Sequence, residues 1–445
     1  MMPTTSLSGF PELLPSERFV ELVVLDRLRS TFELHGFAPI ETRAAEPLEH
    51  MLRKGEIDKE VYVLRRLQAE DETADSGLGL HFDLTVPFAR YVLDNAGHLE
   101  FPFRRYQIQK VWRGERPQTG RYREFTQADI DVVAKDALPF HYDVEIARVM
   151  AEALGGLDFL PPLRLQVNNR KLIEGFILGL GAPDTAAVMR AIDRLDKVPA
   201  AAVATELVTE AGLTDAQAAS CLQLAEIRST DTSFLARVRA LGVQHELLNT
   251  GLDELAAIID GCASISGLTV EADLRIARGL DYYTGTVFET RMDGFESLGS
   301  ICSGGRYDSL ATDGRTTYPG VGISLGVTRL LMPLFQQGYL AGSRSVPSVV
   351  LVALASEDVR GDSEAIAQTL RARGIATEVA AAPQKYGKQI RYAERRGIPY
   401  VWFPGADAHE VKDIRSGDQQ AADPAGWTPS TTDLRPQVIV EGKNP

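Results

Sequence analysis

Apolar positions at helical spacing open the chain: Phe19, Leu22, Val23, Leu25, Leu28 and Phe32 follow Ser16 and Glu17, and predict an N-capped amphipathic helix ending near His35-Gly36. Phe37 to Ile40 then reads as a strand. After a charged, glycine-rich loop from Gln68 to Gly79, the segment His81 to Leu93 begins extended and turns helical around Pro87, a residue suited to a first helical turn. Arg105 to Val133 reads as two strands joined by a polar loop, Glu115 to Arg123, with Pro117 and Gly120 as turn residues.

From about Asn168 to Ala263 the pattern changes to leucine and alanine at helical spacing, broken by glycines as in Leu178 to Ala182, and predicts a helical insertion. Strand-like sequence resumes at Arg275 to Ala277, Thr286 to Thr290 and Gly320 to Leu325. A linker at Ser343 to Pro347 closes this first domain. Beyond it, apolar strands at Ser348 to Ala355, Thr377 to Ala381 and Tyr400 to Phe403 alternate with helical patterns at Arg360 to Arg373 and Lys388 to Gly397, which predicts a small, mostly parallel sheet. Gly417 to Asp433 is rich in turn formers and reads as loop.

Composition narrows the class. A chain of 445 residues has room for two or three domains, and 44% apolar with 24% charged residues is an ordinary globular balance. No apolar run is long enough to span a bilayer and the N-terminus lacks the features of a secretory signal, so a cytoplasmic protein is expected. Three cysteines without metal-ligand spacing predict free thiols, with neither a disulfide framework nor a zinc site. The net charge of -14 argues against a nucleic-acid partner only if charge is spread evenly, and it is not.

Between Arg104 and Arg123 seven of twenty residues are basic and only Glu115 is acidic, so an anion site is expected there. Period-2 alternation sets Arg113 at the loop-proximal end of the first strand, where its planar fork suits phosphate oxygens. On the return strand Phe125, Gln127, Asp129 and Asp131 share one face, a row of ring, amide and carboxylates about 6 to 7 Å apart per step that reads as a binding surface. Arg278 to Glu289 places an arginine and a glycine beside Tyr282 and Tyr283 just before a strand. Ser303 to Asp308 reads as a second glycine-flanked loop, carrying Tyr307. Gly320 to Arg329 reads as a glycine-studded strand entering a helix, without the lysine and spacing of a P-loop or the pattern of a dinucleotide site. The histidines form no cluster, and the basic run Lys385, Lys388, Arg391, Arg395 and Arg396 suits either a solvated helix face or a nucleic-acid backbone. These residues alone describe a nucleotide-using, anion-binding α/β enzyme with a helical insertion.

Taken in order, Asp83 to Thr85, the strand-loop-strand around Arg113, Arg278 to Tyr283 and Gly320 to Arg329 resemble the histidyl-tRNA synthetases over about Gly9 to Gln420. The resemblance implies a class II fold: an α+β catalytic domain on a mainly antiparallel sheet over 1–343, interrupted by a helical insertion at about 168–263, and a C-terminal α/β anticodon-binding domain over 347–445. It implies ATP, L-histidine and the cognate histidine tRNA as partners, magnesium arriving with ATP, no metal site built by protein ligands alone, a homodimer and no membrane.

By the same resemblance Arg113 and Arg278 are the catalytic arginines, acting between the two substrates. Arg113, Glu115, Arg121, Arg123, Phe125 and Arg329 bind ATP, with Phe125 stacking on adenine. Asp83, Thr85 and Gln127 hold the α-amino end of histidine; Asp131, Tyr282, Tyr283 and Tyr307 surround its side-chain end. Gln118 contacts the tRNA acceptor end. Two departures stand out: Arg43 replaces the proline of the first class II motif in many relatives, and positions 83 and 131 carry aspartate where some relatives have glutamate. A catalytically silent paralogue that regulates the first enzyme of histidine biosynthesis shares this core, but usually lacks the C-terminal domain and the full arginine set. A general RNA-binding protein leaves the paired tyrosines and the carboxylate row without a purpose.

Overall fold

A computed structural model describes residues 7–52, 60–66, 77–277 and 283–441. The polypeptide divides into two compact units, one holding the residues up to Pro11 with Leu25–Pro333, the other Glu12–Val24 with the residues from Leu334 onward.

The first unit is organised by a nine-stranded sheet. Its strands in chain order are β1 (Ala38–Pro39), β2 (Phe103–Trp112), β3 (Glu124–Val133), β4 (Leu163–Asn169), β5 (Arg228–Ser229), β6 (Thr269–Asp273), β7 (Thr286–Met292), β8 (Cys302–Thr312) and β9 (Thr317–Gly326). Across the sheet they run β1-β2-β3-β9-β8-β7-β4-β6-β5. Only the β1/β2 and β4/β6 pairs are parallel, so the sheet is mainly antiparallel. Alternation along the central strands separates two faces. Ile130 and Val132 on β3 and Val321, Ile323 and Leu325 on β9 are buried, as are Ile146, Val149, Met150 and Leu154 of α3 (His141–Gly155), to which β9 lies close. The opposite face carries the odd-numbered residues of β3.

On the helix-covered side one polar group is fully enclosed. Asp143 of α3 accepts hydrogen bonds from Arg306 of β8 and from the Thr286 hydroxyl of β7 at 2.7 Å, and Arg306 Nη1 also donates to the Leu138 carbonyl. Ser303 to Asp308 is therefore not a loop but the middle of β8. Its glycines gave a turn signal, whereas their use is close packing: a Cβ on Gly304 would stand 2.1 Å from the Gly322 carbonyl of the neighbouring strand. The strand expected at Arg275 to Ala277 lies earlier, at β6, and β1 is only two paired residues long.

Between β4 and β6 come six helices: α4 (Arg170–Gly179), α5 (Thr185–Asp193), α6 (Ala200–Thr209), α7 (Asp215–Ala225), α8 (Phe234–Arg239) and α9 (Glu246–Cys262). Local chemistry sets several starts. Asn169 caps α4 through the Lys171 amide, Asp184 caps α5, and Thr214 with Gln217 forms a capping box on α7. Helices α4 and α9 touch backbone to backbone: a Cβ on Gly251 would lie 2.2 Å from the Leu172 nitrogen, and one on Gly175 equally close to that of Leu248. Any side chain there would force them apart.

Two helices outside the insertion follow the amphipathic pattern. The N-terminal helix α1 (Pro15–Leu34) starts one residue before Ser16, so Ser16 is inside the helix and not its N-cap, and the Leu14 amide donates to the Glu17 carboxylate at 2.8 Å. Helix α2 (Thr85–Asn95) holds Pro87 in its first turn. Near it Arg43 donates to Glu46, a carboxylate 1% exposed that Arg90 also grips at 2.9 Å. The position that departs from the family pattern is thus a charged anchor on a buried acid. The loop from Gln68 to Gly79 lies almost wholly outside the described residues.

The second unit is a five-stranded sheet of β10 (Val350–Val352), β11 (Thr377–Val379), β12 (Tyr400–Phe403), β13 (Glu410–Asp413) and β14 (Gln419–Ala421), ordered β11-β10-β12-β13-β14. The first three strands are parallel; the last two turn back antiparallel, so part of the stretch that read as loop is strand. Residues 419–421 are all exposed, and an edge strand of polar residues carries no hydrophobic signal. Helices α11 (Arg360–Ala372) and α12 (Tyr386–Arg396) connect them, α12 ending on Gly397 in the left-handed region. Cys221, Cys262 and Cys302 are buried free thiols. No described helix is long and apolar enough to cross a membrane.

Candidate active site

The polar face of the large sheet opens into a cleft of about 310 Å³. Its floor is set by register. Phe125 and Gln127 of β3 stand opposite Val111 and Gln109 of β2, and Ser324 and Gly326 of β9 flank them on the other side. The Gln127 amide donates to the Ser324 hydroxyl at 2.9 Å. Gln107 and Gln109 are fastened to Thr42, through its hydroxyl and its carbonyl, both at 2.9 Å.

Cations ring one end of the cleft. Arg113 donates from Nε to the Phe82 carbonyl at 3.0 Å, and its guanidinium lies 5.1 Å from the centre of the Phe125 ring. Arg121 pairs with Glu115 at 2.9 Å, and Arg329 reaches in from α10 (Val327–Gln336) while donating to the Leu298 carbonyl. Three guanidinium groups lining one cleft with an aromatic ring suit a polyanion bearing a flat base. Arg123 is not in the cleft wall; its Nε donates to the Glu115 carbonyl at 3.2 Å. Gln118 is exposed at the loop tip, where its backbone pairs with Arg121.

The same cleft is lined by Asp83 and Thr85, beside the start of α2, and by Tyr283. Asp83 accepts from the Val86 amide at 3.0 Å, so the carboxylate that caps the helix also faces the cleft. Tyr283 has its phenol pushed up, first by burial and then by the field of Asp131, Asp129 and Asp83. Asp131 and Tyr307 lie behind the cleft wall: the Tyr307 hydroxyl donates to Asp131 Oδ1 at 2.8 Å, and Arg105 lies 2.6 Å from Oδ2. Arg278 and Tyr282 fall outside the described residues.

The row of odd residues on β3 is more enclosed than an open binding surface. Gln127, Asp129 and Asp131 are 7%, 2% and 5% exposed. Ser300, Ser303, Ser324 and Tyr122 line the cleft without having been singled out from the sequence, and Arg105 was read only as part of a basic run. Period-2 alternation on β9 would have found Ser324, because it shares the face of the functional glycines Gly322 and Gly326. Among the described residues no group of three or more His, Cys, Asp or Glu side chains is arranged to hold a metal.

A mainly antiparallel sheet bearing this arginine-ringed cleft, in a chain with a separate C-terminal α/β unit, is the fold of a class II aminoacyl-tRNA synthetase. The family model described as histidyl-tRNA synthetase matches residues 9–330, and one described as an anticodon binding domain matches 348–423. Histidine–tRNA ligases of Cutibacterium acnes and Micrococcus luteus are each 59% identical, the first over 97% of this chain and 98% of its own length, the second over 98% and 99%. The crystal structure of histidyl-tRNA synthetase from Nostoc sp. PCC 7120 superimposes with a TM-score of 0.84 at 34% identity, covering 95% of this chain and 97% of that one. The chain belongs to the histidyl-tRNA synthetase family.

Proposed function

We propose that this chain activates L-histidine with ATP and transfers it to the 3′ end of its cognate tRNA, and that the cleft on the large sheet is where both steps occur. The observation that carries this reading is that one cleft is lined by Arg113, Arg121, Arg329 and Phe125 together with Asp83, Thr85 and Gln127. The cations and the ring suit a nucleotide triphosphate, and the carboxylate, hydroxyl and amide suit an amino acid.

In the first step a histidine carboxylate oxygen attacks the α-phosphorus of ATP in line, the bond to the β-phosphate bridge breaks, and pyrophosphate leaves with the bonding pair. Arg113 and Arg278 stabilise the negative charge that builds on the α-phosphoryl oxygens, so no protein nucleophile is required. Phe125 stacks on adenine, Arg121 and Arg123 meet the outer phosphates and Arg329 braces the nucleotide from the far side. Asp83, Thr85 and Gln127 hold the α-ammonium, while Asp131, Tyr282, Tyr283 and Tyr307 surround the side-chain end. Glu115 belongs to the ATP-binding set, and magnesium arriving with ATP would supply neutralisation of phosphate charge, held by phosphate oxygens and water and not by a cage of protein ligands. In the second step a terminal ribose hydroxyl of tRNA attacks the histidyl carbonyl and AMP leaves; Gln118 contacts the acceptor end.

The domain plan follows the same reading: a catalytic core over 1–343 with its insertion at about 168–263, and an anticodon-reading domain over 347–445. A cytoplasmic homodimer completes it. The decisive assay is exchange of labelled pyrophosphate into ATP with each amino acid in turn. Exchange supported by histidine alone is expected. No exchange from folded protein that binds ATP would overturn the assignment in favour of a regulatory paralogue.

A further inference from the structure

Asn168, Asn169 and Arg170 stand where β4 ends and α4 begins, at the root of the helical insertion. Each is tied to a different piece of chain. Asn168 donates from its side chain to the Ile276 carbonyl at 2.8 Å. Arg170 donates from its backbone N–H to the Gly285 carbonyl at 2.8 Å and from Nη1 to the Tyr283 carbonyl at 3.0 Å. Residues 168 and 170 thus hold the carbonyls of Ile276 and Tyr283, and Arg278 and Tyr282 fall in sequence between those two points. Tyr283 itself lines the cleft. Its ring packs against the backbone of β8, since a Cβ on Gly305 would stand 2.7 Å from Tyr283 Cδ1, and the next amide, of Thr284, donates to the Arg306 carbonyl at 2.9 Å.

The root is anchored on its other side as well. Asn169 caps α4 through the Lys171 amide and donates from Nδ2 to Glu254 of α9 at 2.7 Å, and Lys171 pairs with the second oxygen of the same carboxylate. Asn168 and Asn169 are wholly buried. Helix chemistry alone does not account for Arg170. The first turn of α4 carries Arg170 and Lys171 and no acid, at the end of a helix where the N–H groups favour negative charge. The Arg170–Glu174 pair, at 3.3 Å, also runs in the less favourable order, cation before anion. What the position does use is the shape of the guanidinium: Nε meets Glu174 while Nη1 meets the Tyr283 carbonyl, so one planar fork joins the helix to the cleft wall.

We propose that Arg170 is a positioning residue for the activation step: from the root of the insertion it fixes Tyr283, so that the first turn of α4 sets the geometry of the cleft. This rests on the histidine-activating function proposed above. Arg170 touches no substrate. It acts through a main-chain carbonyl, and a carbonyl gripped by a fork that Glu174 holds in place keeps the attached ring in one position. Misplacement of a cleft group by about 1 Å from a change remote from the chemistry is enough to cost on the order of 100-fold in rate. Arg113, Arg121 and Arg329 stand on other elements, so nucleotide binding is left intact when the tether is cut. The insertion thereby takes part in the first step of the reaction, before any tRNA is bound.

The test separates positioning from helix stability. Histidine-dependent pyrophosphate exchange is measured on the full-length wild type, Arg170→Met, Glu174→Gln, Tyr283→Ala and the Arg170→Met, Tyr283→Ala double variant, with kcat and KM resolved for histidine and for ATP. In Arg170→Met, kcat is expected to fall at least about tenfold while the KM for ATP stays within about twofold. Glu174→Gln removes the charge of the ion pair but keeps an acceptor for Nε, and should hold kcat within about twofold of the wild type. In the Tyr283→Ala background, Arg170→Met should cost less than about twofold, because the group it positions is gone. Losses that multiply in the double variant would overturn the proposal. So would an Arg170→Met enzyme that exchanges at the wild-type rate, or a Glu174→Gln loss equal to that of Arg170→Met, which would assign the arginine to the stability of α4. Arg170→Leu provides a second variant should the methionine disturb folding. A wild type that exchanges with no amino acid at all would instead refute the function on which the proposal rests.

Discussion

Arg105 and Asp131 form an ion pair of 2.6 Å in which the arginine is wholly withdrawn from solvent. The guanidinium also lies 4.2 Å from the centre of the Phe88 ring and within 3.4 Å of the Gln107 amide oxygen. One arginine thus joins β2, β3 and α2 beneath the end of the cleft assigned to the histidine side chain. A buried pair of this kind adds little net stability relative to apolar residues, because desolvation offsets attraction; what it does is fix the position of the carboxylate.

Removing only the cation should therefore be severe. Arg105→Met takes from the buried Asp131 the cation it pairs with at 2.6 Å, and is expected to cost about 3 to 5 kcal/mol in urea unfolding. Adding Asp131→Asn to it should restore most of that loss, since the uncompensated charge is then gone. Equal instability of the single and double variants would show that the loss comes from packing of the arginine stem.

The neighbouring Asp129 makes a pH-dependent prediction of opposite sign. Burial pushes its carboxyl up to about 7, well above its value in an unfolded chain of about 3.9. Between those two values the folded protein binds the proton more tightly, so stability falls as pH rises through that window and the full penalty is carried above about 7. Asp129→Asn removes the penalty. It should be more stable than the wild type at pH 8, by on the order of 4 kcal/mol, with a smaller gain at pH 5. Thermal unfolding at the two pH values decides the matter; a gain that is the same at both would mean the carboxylate is not strained by its ionisation.

Much of this was legible beforehand, and the exceptions share a cause. The β2/β3 hairpin and its basic loop were readable because alternation is strict and turn residues mark the ends. So was the helical insertion, whose leucine spacing is unambiguous. Ser303 to Asp308 was misread because glycine signals a turn by its frequency there, while in β8 it permits two strands to crowd together; a Cβ on Gly304 would lie 2.1 Å from the Gly322 carbonyl of β9. The strand at Gln419–Ala421 was missed because both its faces are exposed. Arg105 was hidden for a different reason. A run of seven basic residues suggests one shared purpose, yet period 2 sends Arg105 under the cleft and Arg104 to the opposite face, where it pairs with Glu145 of α3 at 2.8 Å.

Arg113 is predicted to act on the transition state more than on binding. Its guanidinium is held by the Phe82 carbonyl and lies over Phe125, and Glu115 is 3.8 Å away, so it is positioned before any substrate arrives. Arg113→Ala should lower the rate of pyrophosphate exchange at saturating substrates by roughly 100- to 1000-fold, with histidine affinity measured at equilibrium changed by no more than a few fold. A loss carried wholly by the KM for ATP would reassign it to ground-state binding.

The second unit offers a test that separates the two steps of the reaction. Lys388, Arg391 and Arg395 of α12 line a cavity of about 540 Å³ together with Tyr392, and all three cations are exposed. A largely basic helix face beside an aromatic ring, with Glu394 as its one acidic lining residue, suits single-stranded RNA, where cations meet phosphates and rings stack on unpaired bases. None of these residues is near the activation chemistry in sequence or in unit. Lys388→Glu with Arg391→Glu should thus leave histidine-dependent exchange unchanged while lowering kcat/KM for tRNA charging by about tenfold or more. The dependence of charging on salt should weaken at the same time, because fewer counterions are released on binding. If charging falls with its salt dependence intact, the helix acts by shape and not by charge; if exchange falls equally, the unit supports the fold of the whole enzyme instead of reading tRNA.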